Sequence, residues 1–286
     1  MKMIKNQIKT ALLLGGLTGL FLLIGSFFGQ NGLLFALIFA GGMNFVSYWW
    51  SDKIVLKIYR AKEADRNEYS NLYSMVQEIT HSAKLPMPKV YIVNSPQANA
   101  FATGRNPKHA AVAVTTGILN ILDKNELKGV LAHEVGHIKN KDILISSVAA
   151  TIAGVISYIA MMARWAAIFG GFGGRDRDSG GLIELLVLAI IAPIMALIIQ
   201  MAISRSREFM ADQTGAQLIR DPFSLASALE KIHNNVAHNP LRQMGTTEAT
   251  AHLFIHNPFK GKGLVNIFST HPSVEERCKR LRKMKL

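Results

Sequence analysis

Two histidines four positions apart, with a glutamate directly after the first, stand at His133, Glu134 and His137 in the run Leu131-Ala-His-Glu-Val-Gly-His137. Four residues turn an α-helix through about 400°, so both imidazoles leave one face a turn apart and can share one metal ion, for which zinc is suited. Glu134 then lies beside them. From there it can take a proton from a water that the metal acidifies and pass it to a leaving amine, which is the chemistry of peptide-bond hydrolysis. The plainer alternative is a pair of solvated helical histidines. The single cysteine, Cys278, excludes zinc ribbons and iron–sulfur clusters, so any metal must be held by histidine and carboxylate. A catalytic zinc keeps three protein ligands and one open position. Six residues beyond His137 stands Ile143 rather than a third histidine, so the third ligand is expected from a downstream carboxylate.

This chemistry needs a helix, and the sequence supplies one. Asp123 as N-cap and Glu126 three residues later form a capping-box variant, followed by Leu127, Val130, Leu131 and Val135 at helical spacing. Gly136 inside that helix costs about 1 kcal/mol relative to alanine, which predicts another backbone packed closely against it.

With 49% hydrophobic residues and a mean hydropathy of +0.21, the chain is too apolar for disorder and reads as a membrane protein. No Asp, Glu, Lys, Arg or His occurs in residues 10–51, which is room for two spans of about 20 residues with a break at Gly29-Gln30-Asn31-Gly32. Charge-free runs at residues 143–163 and 185–204 add a third and a fourth span, the last kinked at Pro193. Lys2, Lys5 and Lys9 precede the first span, Lys53 and Lys57 follow the second, and Lys139, Lys141, Arg205 and Arg207 flank the other pair on the same side. The positive-inside rule then places both termini in the cytoplasm; the net charge of +13 fits nucleic acid, anionic lipid or simply cytosol-facing loops flanking the spans. The expected division is a transmembrane hairpin at 1–51, a first catalytic segment at 52–141, a second hairpin at 142–204 with an external glycine-rich loop, and a second catalytic segment at 205–286.

Topology also sorts the carboxylates. Asp176, Asp178 and Glu184 fall toward the far side, whereas Glu208 follows the fourth span on the side of His133, so Glu208 is the expected third ligand. Asp212, four residues on and on the same helical face, is placed to accept the second N–H of a ligand histidine. The competing reading pairs both acids with Arg205 and Arg207 on a solvated helix. Because His137 and Glu208 lie close to spans three and four, the site should hug the membrane surface and meet membrane-associated substrates.

Four spans around His133-Glu-Val-Gly-His137, together with Ser204-Arg-Ser-Arg-Glu-Phe-Met-Ala-Asp212, resemble the HtpX-type heat-shock membrane metalloproteases, relatives of the CAAX prenyl endopeptidases, over nearly the whole chain. The resemblance implies a gluzincin fold. The expected architecture is therefore an α-helical membrane protein with four transmembrane helices plus a mainly α, α+β zinc-metalloprotease domain with a small sheet, in which residues 89–93 and 110–114 read as strands. It further implies one Zn2+ per subunit on His133, His137 and Glu208, with Glu134 as base. It implies a place in the bacterial cytoplasmic (inner) membrane, an active site on the cytoplasmic face, and degradation of damaged or misassembled membrane proteins under stress.

Two more stretches resemble motifs of that family. Gln97-Ala-Asn-Ala-Phe-Ala-Thr103 looks like its edge strand, in which Asn99 and Ala100 would hold an extended peptide by β-augmentation while Phe101 packs inward; an ordinary short loop or strand is the alternative. Ser269-Thr-His-Pro272 looks like its Thr-His-Pro element, which would bring His271 near the metal to hydrogen-bond the oxyanion, although Ser273 stands where relatives commonly have a second proline. The basic tail at 277–285 reads as a solvated or lipid-facing helix end, and the lack of interleaved aromatics argues against nucleic acid. Polypeptide substrates, chiefly membrane proteins, and the lipid bilayer are the expected partners. A CAAX-type prenyl protease and a non-enzymatic membrane holdase or regulator are the competing functions, and Glu134 counts against the second, since a binding site has no use for it.

Overall fold

The structure is a computed structural model of the 286-residue chain that describes residues 2–26, 29–152, 205–238 and 272–285. Helices α1 (Lys2–Ser26) and α2 (Gly29–Trp49) pair antiparallel: Phe21 meets Phe39 edge-on at 5.1 Å, and Asn44 Nδ2 donates to Thr18 Oγ1 at 2.8 Å. The expected break at Gly29–Gly32 lies instead within the first turn of α2. The helices approach so closely there that a β-carbon on Gly25 would lie 2.6 Å from the Gly32 carbonyl oxygen, which leaves no room for a longer connection. Among the described residues, α2 is the one helix long and apolar enough to cross a membrane, with shorter apolar helices at Thr10–Leu23 and Ile143–Ile152. The fourth expected span lies outside the described residues. Among the described residues, the exposed large hydrophobic side chains other than Met87 and Phe223 lie between Ile8 and Trp50, so their apolar surface is concentrated on this hairpin.

Helix α3 (Ser51–Ile58) leads into a four-stranded sheet of β1 (Lys62–Glu63), β2 (Lys89–Val93), β3 (Ala100–Gly104) and β4 (Ala110–Thr115), in the order β1-β2-β4-β3. β2 and β4 run parallel, and the flanking pairs are antiparallel. Period-two alternation gives the sheet two buried faces. Val90, Ala100, Ala102, Val112 and Val114 enter the main core, while Phe101, Ala111 and Ala113 pack on the other side with Val55 and Leu56 of α3. Arg105, just past β3, ties the sheet to the hairpin: its guanidinium lies 4.7 Å from the Trp49 ring centre and Nη1 donates to the Trp49 carbonyl at 3.3 Å.

The remaining described helices are α4 (Ser70–Ala83), α5 (Thr116–Ile121), α6 (Lys124–Lys139), α7 (Ile143–Ile152), α8 (Arg205–Ile219), α9 (Pro222–His238) and α10 (Val274–Arg282). The main core joins Met75 and Ile79 of α4, Leu131 and Val135 of α6, Ala216 of α8, Leu225 and Leu229 of α9, and Cys278 and Leu281 of α10. Stretches on either side of residues 153–204 thus share one interior.

Candidate metal centre

Helix α6 starts where its cap dictates. Asp123 Oδ1 accepts the backbone N–H groups of Asn125 and Glu126 at 2.9 and 3.0 Å, and Glu126 Oε2 accepts that of Asp123 at 3.0 Å. Glu126 also accepts from Ser227 Oγ and Lys231 Nζ, both at 2.7 Å, which binds the α6 N-terminus to α9. Further along, α8 crosses α6 at glycines. A β-carbon on Gly136 would lie 2.9 Å from the Ala211 oxygen, and one on Gly215 would lie 2.7 Å from the His133 backbone nitrogen. This close approach carries the side chains of α8 to those of the histidine pair.

The three expected ligands converge. His133 Nε2 and His137 Nε2 are 3.2 Å apart, Glu208 oxygens lie 3.7 and 3.6 Å from them, and one donor atom from each residue falls within 4.8 Å of the others. Asp212 Oδ1 lies 2.9 Å from His133 Nδ1, and Asp142 Oδ2 lies 3.3 Å from His137 Nδ1. Carboxylates only accept, so each Nδ1 donates to its acid and each Nε2 is turned toward the other ring and Glu208. Two ring nitrogens and a carboxylate gathered this closely call for a cation, a proton or a metal ion, between them. The buried acids Glu134, Asp142, Glu208 and Asp212 outnumber the buried guanidiniums of Arg207 and Arg277, an excess that suits a cation at this point. The donor set, one carboxylate and two imidazoles, fits zinc.

The surrounding electrostatics follow from burial and pairing. Burial lowers the His137 imidazolium, but the Asp142 hydrogen bond and the Glu208 and Glu134 charges outweigh it and carry the group up to about 9, so this position favours positive charge. Burial alone would raise Asp212; the Arg277 charge and hydrogen bonds, with His133, hold it down to about 2. For Glu134 burial prevails over both histidines and raises the carboxyl.

Glu208 and Asp212 do not lie on a solvated face: they are 9% and 4% exposed and face Arg277, and Arg207, itself buried, lies in the field of Glu208. Arg277 is the main correction to the sequence reading of the tail as solvated or lipid-facing. It is 1% exposed, donating to Asp212 from Nε at 2.8 Å and Nη2 at 2.7 Å. Its signal lay in the spacing, because Val274, Arg277, Cys278 and Leu281 form the i, i+3, i+4, i+7 stripe of a buried helix face. Asp142 was also missed. It is the first acid after the motif, and its own N–H donates to the His137 carbonyl at 2.9 Å, turning the chain back so that its carboxylate reaches the same residue.

At the sheet, β3 is an edge strand, beginning at Ala100 rather than Gln97. Ala100 is buried on the α6 side, and the Ala102 backbone hydrogen-bonds the Glu134 carboxylate. Phe101 packs on the far face against Tyr59, ring centres 4.9 Å apart. Asn99 precedes the strand at 1% exposure, its N–H donating to Thr115 Oγ1 at 2.9 Å. His271 lies outside the described residues.

The profile of Peptidase family M48 matches residues 66–285. A protease HtpX homolog of Desulfatibacillum aliphaticivorans is 55% identical over 278 residues, covering 96% of this chain and 89% of its own. One of Persephonella marina is 56% identical over 282 residues, 98% and 97% of the two chains. The crystal structure of S. mikatae Ste24p superposes with a TM-score of 0.51 at 18% identity, over 98% of this chain and 66% of that longer one, a likeness of fold.

Proposed function

Because the chain belongs to peptidase family M48, it is a metallopeptidase, and we propose that it is a membrane-anchored zinc endopeptidase that cuts damaged or misfolded membrane proteins at the cytoplasmic face of a bacterial inner membrane. The observation that carries this reading is the convergence of His133, His137 and Glu208 donor atoms within 4.8 Å with Glu134 buried beside them. These three residues would hold one zinc, and zinc bound there polarises the scissile carbonyl and acidifies the attacking water. Glu134 takes the water's proton and returns it to the leaving amine. Asp212 and Asp142 fix the tautomer and tilt of the two imidazoles. The outer edge of β3, with Asn99, Ala100 and Phe101 setting its register, aligns the peptide, and His271 donates to the oxyanion.

The exposed apolar side chains of α1 and α2 support the anchor, and a four-span topology with both termini in the cytoplasm follows from the charge-free runs and their basic flanks. Residues 52–141 and 205–286 then build one catalytic domain between two hairpins at 1–51 and 142–204. With Arg105 braced on Trp49, the edge strand is held beside the end of α2, which favours substrates already at the bilayer.

The test is cleavage of an unfolded membrane protein by the purified parent and Glu134→Gln in detergent, with bound metal measured in both. Both should hold one zinc while the variant loses activity by about 10²–10⁴-fold. Equal cleavage would reject the mechanism. Equal rates on a membrane-embedded and a freely soluble reporter carrying the same site would reject the membrane-substrate reading.

A further inference from the structure

Among the described residues of α10, Arg277 is the side chain that reaches the metal centre, and it touches more than one part of it. Its Nε and Nη2 grip both oxygens of Asp212 at 2.8 and 2.7 Å. Nη1 lies 3.7 Å from Glu208 Oε2, and Nη2 lies 3.4 Å from His133 Nδ1. The same Asp212 Oδ1 that accepts from Nη2 also faces His133 Nδ1 at 2.9 Å. One planar guanidinium, 1% exposed, therefore spans the acid that orients a ligand histidine and the ligand carboxylate itself. It arrives from a helix seated in the core by Val274, Cys278 and Leu281.

We propose that Arg277 is a positioning residue of the metal centre: its fork locks Asp212 against His133 and steers Glu208, so the metal is held tightly only when that fork is in place. This rests on reading His133, His137 and Glu208 as the ligands. Two effects of the guanidinium oppose each other. Its positive charge repels a cation, so by charge alone removing it would tighten binding; its geometry holds the ligands in register, so removing it would loosen binding. Lysine separates the two, because it keeps the charge and loses the bidentate fork.

The experiment titrates the metal-free full chain in detergent with zinc against a competing chelator, and with cobalt(II) for its visible spectrum, in the parent, Arg277→Lys, Arg277→Gln and Leu281→Ala. Both Arg277 variants are expected to lose about 10–100-fold in zinc affinity and to shift the cobalt spectrum. Leu281→Ala, which loosens the same helix away from the centre, should melt lower with affinity and spectrum unchanged. Arg277→Lys preserves a buried cation beside Asp212 and with it the fold, which makes it the deciding arm. Parental affinity in Arg277→Lys, tighter binding in Arg277→Gln, or an equal loss in Leu281→Ala would each overturn the proposal. A parent that takes up no zinc, or whose uptake survives His133→Ala, would overturn the ligand assignment instead.

Discussion

The α6–α8 crossing and the α1–α2 hairpin are both helix pairs rich in glycine, and glycine does different work in each. At the crossing, β-carbons on Gly136 and Gly215 would press within 3.0 Å of backbone atoms of the opposite helix. In the hairpin, β-carbons on Gly15, Gly16, Gly19, Gly41 and Gly42 would meet no described atom within 4 Å. The crossing is interior. It must bring charged groups of two helices to one point, and only a missing side chain allows two backbones that close. The hairpin turns its apolar side chains outward, and Leu34, Phe35 and Ile38 are 59%, 71% and 67% exposed. Those five glycines therefore carry no geometric duty toward a described neighbour, unlike Gly25 at the turn, where a β-carbon would lie 2.6 Å from the Gly32 carbonyl oxygen.

Gly215→Ala gives the largest expected contrast. The added methyl would meet the His133 nitrogen at 2.7 Å and the Ala132 carbonyl carbon at 2.8 Å, backbone atoms that cannot swing aside. Forcing α6 and α8 apart should destabilise the protein by about 1–3 kcal/mol, the usual range for overpacking, and should weaken zinc retention because Glu208 moves with α8. Thermal melting in detergent and a chelator titration read the two effects. A variant as stable and as metal-retentive as the parent would mean that the crossing is looser than its geometry.

The same contrast explains what the sequence disclosed. The capping box of Asp123 and Glu126, the histidine pair and the packing glycine at Gly136 are local patterns whose spacing is fixed by helix geometry, so they could be read directly. Glu208 and Asp212 needed one further step, the side of the membrane on which each carboxylate falls. Arg277 and Asp142 stayed hidden for physical reasons. A basic residue among basic residues gives no sign of burial unless its helical register with Val274, Cys278 and Leu281 is followed, and Asp142 depends on a turn in which Lys141 adopts a left-handed φ of 58°. β1 has two residues, too few for alternation to show. The hairpin was legible as apolar helices, but its turn was misplaced because an exposed Gly-Gln-Asn-Gly run looks like a loop whether or not the helix has already begun.

The two regions should also separate by pH. Residues 10–51 carry no Asp, Glu, Lys, Arg or His, whereas α6 is tied to α9 by Glu126, 4% exposed. Burial opposes ionisation of Glu126, but Lys231, Ser227 and the Asp123 backbone prevail and hold its carboxyl below the ordinary value. A carboxylate with a depressed folded-state pKa contributes stability that is fully present above the unfolded value, about 4.3, and is lost as pH falls through the folded one. Glu126→Gln should therefore cost about 1 kcal/mol near pH 7, with the gap to the parent closing below about pH 4. Denaturant midpoints across that range check it. A gap that persists at low pH would assign the effect to packing rather than to charge.

Gly41→Ala is the smallest expected effect, and its sign is opposite. Gly41 lies within α2, exposed, where a methyl would find open space, and alanine restricts the unfolded chain more than glycine does. The substitution should raise stability by about 0.5–1 kcal/mol, seen as a higher melting temperature in detergent with zinc affinity unchanged. The opposite result would be equally informative. A loss of stability at Gly41 would mean that another helix packs on that face of α2, and the hairpin would then obey the rule of the α6–α8 crossing, with glycine marking contact between backbones rather than a surface open to lipid.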